Sequence, residues 1–129
     1  MTHECDKDIK SILVVDDNEG DHFLSQIAIN DYQEGIKIYT AYDGAEALKM
    51  LADLDEPPTL ILLDINMPRM NGLEFLEHYN SKKDKASIVA MLSSSAQESD
   101  RLKALAYDAV KHYLVKPLEP KHLSEILKF

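Results

Sequence analysis

Four stretches of the chain are almost continuously apolar: Ile12-Leu13-Val14-Val15, Leu60-Ile61-Leu62-Leu63, Ile88-Val89-Ala90-Met91-Leu92 and Tyr113-Leu114-Val115. Runs of this length suit strands buried on both faces, as in a parallel sheet covered by helices. A fifth segment, Ile36 to Tyr42, alternates apolar and polar at first and reads as a strand nearer the sheet edge. Helical spacing fills the intervals. From about Gly20 to Asp31, Phe23, Leu24, Ile27 and Ala28 fall on one face. Asp43 with Glu46 resembles a capping box that opens a helix through Ala47, Leu48 and Leu51, and Asp55-Glu56-Pro57-Pro58 breaks it. Asn71 with Glu74 makes a second such pair, for a helix carrying Leu73, Leu76 and Tyr79. Ser95 with Glu98 makes a third, for a helix carrying Leu102, Leu105 and Ala106. Pro120 suits the first turn of a last helix that buries Leu123, Ile126 and Leu127.

Strand and helix thus alternate five times. The pattern predicts an α/β domain: a five-stranded, doubly wound parallel sheet with five helices and right-handed crossovers. Residues 1–8 read as a short polar tail and residues 9–129 as the domain, with no repeat, linker or low-complexity stretch. At 129 residues and 45% hydrophobic content the chain can bury a core without disulfides or metal staples. A net charge of −9 argues against nucleic-acid binding, since no basic stripe exists to displace counterions. The single cysteine, Cys5, has no intrachain partner, which fits a reducing cytoplasm. No segment has the unbroken apolar length of a membrane span, and Met1 to Lys10 lacks the apolar core of a signal peptide.

Each apolar run ends on a polar residue: Asp16-Asp17, Asp64, Ser93 and Lys116-Pro117. In a parallel sheet every C-terminal strand end lies on one edge, where α/β proteins bind their ligands. Three carboxylates, a hydroxyl and an ammonium would then meet in one crevice. Two carboxylates about 4 Å apart repel by roughly 4 kcal/mol at an effective dielectric near 20, and one ammonium cannot neutralise three. A hard divalent cation, Mg²⁺ or Mn²⁺, would relieve that repulsion. Taken alone, Asp16-Asp17 reads equally well as a helix cap or a solvated turn.

The combination resembles the receiver domain of two-component response regulators, in its single-domain, chemotaxis-regulator-like form. Val14-Val15-Asp16-Asp17 is similar to the family's acidic pair. The segment from Asp64 through Asn66, Met67 and Pro68 to Gly72 is similar to the one that begins at its phospho-accepting aspartate. Ser93 stands where the family has Thr or Ser, and Lys116-Pro117 matches its Lys-Pro. The resemblance spans roughly residues 9 to 129 and implies a flavodoxin-like receiver fold. It implies that Asp64 takes a phosphoryl group from a histidine kinase or histidine phosphotransfer protein. It also implies that Asp17, Asp64 and the Asn66 backbone carbonyl ligate Mg²⁺ directly, with Asp16 acting mainly through water. Ser93 and Lys116 would grip the phosphoryl oxygens, and Tyr113, three residues before the lysine, would turn inward on phosphorylation. The change would be read by a downstream protein on the last two helices and the last strand, and a phosphorylation-linked dimer stays open. No output domain is expected.

Some points stay open at this level. The 23 residues from Ser93 to Lys116 leave Ser94 as an alternative switch hydroxyl, with Ser93 favoured because it directly follows the apolar run. Asn66 and Ser95 flank the pocket by analogy, and Lys116-Pro117 is a candidate cis peptide on the same ground. His3, His22, His78, His112 and His122 show no paired ligand spacing and read as surface or packing residues. Two rival functions are a phosphohydrolase with an aspartyl-phosphate intermediate and an adaptor that no longer takes phosphate. Asn66 cannot serve as the general acid of the first, and the complete polar set argues against the second. Val15 to Gly20 puts acid where a dinucleotide pyrophosphate needs a glycine-rich turn.

Overall fold

The computed structural model describes residues 9–65, 67, 70–80, 87–93 and 98–126. The expectations for the tail with His3 and Cys5, for Asn66, Ser94 and Leu127, and for the Ser95–Glu98 cap pair lie outside these residues. The elements run β1 (Ser11–Val15), α1 (Glu19–Tyr32), β2 (Lys37–Ala41), α2 (Gly44–Asp53), β3 (Leu60–Leu63), α3 (Gly72–Asn80), β4 (Ile88–Ser93), α4 (Glu98–Leu105), β5 (Val110–Val115) and α5 (Pro120–Ile126). All strand pairs are parallel, in the order β2-β1-β3-β4-β5. The alternating strand–helix pattern is borne out, and β2 is an edge strand as its mixed polarity implies.

Alternation along the buried strands sends side chains to two separate cores. Leu13, Val15, Ile61, Leu63, Val89 and Met91 face α2, α3 and α4, where Ala47, Phe75, Leu76 and Ala104 meet them. Ile12, Val14, Leu60, Leu62, Ala90 and Leu92 face α1 and α5, against Ala28, Ile29, Leu123 and Ile126. Between their polar ends, Ser11 of β1 and Ser93 of β4, the central strands are therefore apolar because both faces are covered.

Helix starts follow the caps. Asp43 accepts from the Glu46 N–H at 2.8 Å, while Glu46 reaches back to the Tyr42 N–H at 2.6 Å. Asn71 and Glu74 exchange both bonds, at 2.9 and 3.0 Å. The turn into β2 passes through Gly35 with φ +91°, a left-handed conformation that costs glycine little.

Two helix faces differ from the reading of the pattern. On α1 the buried residues are His22, Ser25, Ala28 and Ile29, while Phe23, Leu24 and Ile27 are 64%, 48% and 50% exposed. The face on the sheet is set by what fits over β1 and beside α5, and small or hydrogen-bonded side chains allow that close approach. On α4 Ala104 is buried and Leu105 packs against the core, whereas Leu102 is 57% exposed and Ala106 faces outward. The small side chain of Ala104 suits a close approach to the sheet, with Leu105 beside it and Leu102 outside.

Candidate functional site

The polar residues that follow the strands are held by the sheet's own hydrogen bonding. The Asp16 N–H donates to the Ala41 carbonyl at 3.0 Å, Asp64 N–H to Val15 at 2.9 Å and Lys116 N–H to Ser93 at 2.8 Å. Each residue thus leaves its strand with the backbone still tied to a neighbour. β1 and β3 are adjacent although β2 lies between them in sequence, so Asp16 and Asp64 flank the point where the winding reverses, the usual ligand crevice of an open α/β sheet. Ser93, buried, ends β4 and pairs with Val115 in register. Between Val89 and Ala90 the pairing with β5 jumps from Val110 to His112, a bulge that absorbs Lys111 and lengthens the path from Ser93 to Lys116 by one residue. The Lys116-Pro117 bond is cis.

Oxygens of Asp16, Asp17 and Asp64 all lie within 4.8 Å of one another, with Asp16 and Asp64 buried and Asp17 exposed. Carboxylates alone, gathered this closely, are the donor set of a hard, oxygen-seeking cation rather than a soft metal, so the residues fit Mg²⁺ or Mn²⁺. The Lys116 ammonium reaches into the same cluster. Its Nζ lies 2.7 Å from Asp16 Oδ2 and 3.3 Å from Asp64 Oδ2. A further contact, at 2.7 Å, goes to Asp21 Oδ2 on the first turn of α1. Burial by itself lowers the lysine's affinity for its proton. The bonds to Asp16 and Asp21 and the charge of Asp64 outweigh that and hold its pKa above the ordinary value.

Asp21 escaped the reading of the sequence. Only its place in a cap marked it: Asn18 Oδ1 accepts from the Asp21 N–H at 2.9 Å, and the Asn18 N–H in turn donates to Asp16 Oδ1 at 2.9 Å. His22 proves to be a packing residue. Its Nε2 sits 2.8 Å from the Asp16 carbonyl oxygen, which can only accept, so Nε2 carries the proton. Tyr113 is half-buried on β5 and packs on the α2–α4 side of the core.

The loop after Asp64 closes tightly. Gly72 N–H donates to the Ile65 carbonyl at 2.9 Å, and a Cβ at position 72 would stand 2.9 Å from Ile65 Cα and 3.0 Å from the Asp64 carbonyl carbon. Only a residue without a side chain allows that approach, which accounts for a glycine eight positions beyond Asp64.

The family model described as "Response regulator receiver domain" matches residues 12–128. The chain belongs to the response regulator receiver family. Among proteins similar to this receiver is the alkaline phosphatase synthesis transcriptional regulatory protein PhoP of Bacillus subtilis, 34% identical over 119 residues. That alignment takes in 92% of this chain and 47% of the relative, so the receiver spans about half the length of that protein. A two-component response regulator from Cytophaga hutchinsonii superposes with a TM-score of 0.84 at 33% identity, covering 93% of this chain and 95% of the other. The chemotaxis response regulator CheY4 of Vibrio cholerae does so with 0.76 at 27% identity, covering 93% and 97%. Receiver domains are signalling switches, and the sheet order and helix placement found here are those of the family. No helix among the described residues is long and apolar enough to cross a membrane.

Proposed function

We propose that this receiver is a phospho-accepting switch in which Asp64 takes a phosphoryl group from a phosphohistidine on a sensor kinase or histidine phosphotransfer protein. The observation that carries the reading is one ammonium bridging two buried carboxylates, Lys116 Nζ to Asp16 at 2.7 Å and to Asp64 at 3.3 Å, beside a third. Such a pocket is anionic enough to gather a cation, yet keeps a fixed positive group next to the oxygen that would attack. An Asp64 carboxylate oxygen forms a bond to phosphorus as the bond from phosphorus to the imidazole nitrogen breaks. The imidazole leaves with that electron pair, and the product is an acyl phosphate.

Phosphoryl transfer passes through a loose transition state with charge spread over the equatorial oxygens, so positioning and charge stabilisation supply most of the catalysis. Asp16, Asp17 and Asp64 would hold Mg²⁺ or Mn²⁺, joined by the Asn66 backbone carbonyl on the family resemblance. When bound, the cation supplies positive charge to the phosphoryl oxygens. Lys116 turns to one phosphoryl oxygen and Ser93 donates its hydroxyl to another, so the protein assists its own modification and its reversal without acting as an enzyme on other substrates. Ser93 drawn inward makes room for Tyr113, and the face formed by α4, β5 and α5 carries the change to a protein partner, with dimerisation as one form of that readout.

The phosphodonor approaches along α1. Phe23, Leu24 and Ile27 form an exposed apolar stripe there, and Leu24 lines the same shallow depression as Asp21 and Lys116. An apolar helical surface presenting a phosphohistidine fits this edge. The cytoplasm, where such donors act, is the proposed location.

Incubation with acetyl phosphate and Mg²⁺ tests the reading by intact mass. One added phosphoryl group, removed by hydroxylamine and absent when the cation is chelated, is the expected result. A chain that gains no phosphoryl group from either acetyl phosphate or a phosphohistidine protein would overturn it.

A further inference from the structure

The proposed chemistry assigns work to Asp16, Asp17, Asp64, Ser93 and Lys116 but none to Asp21, whose carboxylate is as close to the lysine as that of Asp16. Both distances are 2.7 Å. Lys116 has three N–H donors, and three carboxylates surround it, so its hydrogen-bonding capacity is filled. Two of those partners, Asp16 and Asp64, belong to the cluster whose oxygens converge within 4.8 Å; Asp21 does not. The lysine and a bound cation therefore compete for the same two carboxylates, and Asp21 is the one partner that is the lysine's alone.

We infer that Asp21 is a positioning residue that seats Lys116 beside the pocket, letting it yield Asp16 and Asp64 to the cation while staying in reach of Asp64. The seat is built into the backbone. Asn18 caps α1 and fixes the Asp21 N–H at 2.9 Å, and Asp16 fixes the Asn18 N–H at the same distance. Asp16, Asn18, Asp21 and Lys116 thus form a closed circuit of hydrogen bonds, which ends where Lys116 returns to Asp16. The Lys116 side chain is 13% exposed and that of Asp21 31%, so the pair sits at the mouth, where water weakens it less than at an open surface. Without Asp21 the ammonium has, among the described residues, only the carboxylates of the cation cluster as anionic partners, and every cation that binds must displace it from them.

This inference rests on the cation-assisted reading above and is tested by calorimetric titration of Mg²⁺ in the absence of any phosphodonor. Wild type, Asp21→Asn, Lys116→Met and the double variant form a cycle. Asp21→Asn is expected to weaken Mg²⁺ binding by about fivefold, the scale of one ammonium brought a few ångströms closer in a partly screened site. In the Lys116→Met background the same substitution is expected to change the affinity by less than about twofold, because the lysine it acts through is gone. Asp21→Glu, which keeps the carboxylate, is expected to recover most of the lost affinity. In phosphorylation by acetyl phosphate, Asp21→Asn raises the Mg²⁺ concentration for half-maximal rate and leaves the rate at saturating Mg²⁺ within about twofold.

Three results would overturn the assignment: unchanged Mg²⁺ affinity in Asp21→Asn, equal weakening with and without Lys116, or no recovery in Asp21→Glu. The second would mean that Asp21 acts as bulk charge, and the third that it acts through helix packing. A wild-type chain that bound no Mg²⁺ would bring down the cation-assisted reading along with this one, whereas Mg²⁺ binding insensitive to Asp21 would bring down this inference only.

Discussion

Gly72→Ala perturbs the pocket without replacing any of its polar side chains. The added methyl would lie 2.9 Å from Ile65 Cα, where ordinary contact begins at 3.4 Å, so backbone must move by at least 0.5 Å, and the overlap with the Asp64 carbonyl oxygen is closer still. No flexible side chain is available to give way, because the obstructing atoms are main chain. Overpacking of this kind costs about 1–3 kcal/mol, to be read as an earlier midpoint in urea with an unchanged slope. The catalytic effect is the larger one. Asp64 heads the displaced segment, and a misplacement approaching 1 Å costs a reacting group about 100-fold in rate. Phosphorylation by acetyl phosphate at saturating Mg²⁺, followed by intact mass, measures it. The expected outcome is a rate lowered at least tenfold, with Mg²⁺ binding by calorimetry weakened as well, since the proposed function gives Asp64 both roles. A Gly72→Ala protein with wild-type stability and wild-type rate would refute the argument that this glycine exists for close approach to the Asp64 backbone.

Other outcomes follow from the same geometry. Asp17→Asn removes one of three carboxylates gathered within 4.8 Å, a repulsion screened at this exposed position to about 1 kcal/mol. It should raise the melting temperature by about 3 °C in chelator and abolish the further rise that Mg²⁺ gives wild type, as thermal scans with and without the ion would show. Phe23→Ser with Ile27→Ser, both on the exposed stripe of α1, should slow transfer from a phosphorylated histidine phosphotransfer protein about tenfold relative to transfer from acetyl phosphate. Equal effects on both donors would remove α1 from the docking face. Burial lowers the His112 pKa, and the charge of Glu125 only partly opposes it. Below the ordinary histidine value of about 6.5 the unfolded chain then binds more protons than the folded one, so stability falls as pH drops through that range. His112→Gln should flatten this part of the stability profile in urea titrations at pH 7.5 and 5.5.

The sheet was legible because burial on both faces leaves the middle of each central strand apolar, as in Ile12 to Val15 and Leu60 to Leu63. β2 betrayed its edge position by Lys37 and Thr40. Caps were legible where a short polar side chain faces Glu three residues on, as at Asp43 and Asn71. The face of α1 was not, because apolar spacing marks a coherent stripe without saying whether that stripe meets the sheet or the solvent. Here the buried stripe contains His22 and Ser25, polar residues admitted by a hydrogen bond to Asp16 and by small size. Pocket residues at strand ends were legible by position, since a parallel sheet collects its C-termini on one edge. Asp21 was not, because a helix residue meets Lys116, 95 positions away, only through the packing of α1 against α5, and no local spacing encodes that meeting.

The central claim is that Asp64 is the residue that carries the phosphoryl group. An acyl phosphate is reduced by borohydride where a free carboxylate is not, so the phosphorylated chain can be trapped, digested and read by peptide mass spectrometry. Reduction confined to position 64, and lost in Asp64→Asn, is the result this account predicts. Reduction at Asp16, Asp17 or Asp21 in the wild-type chain, with position 64 intact, would contradict it.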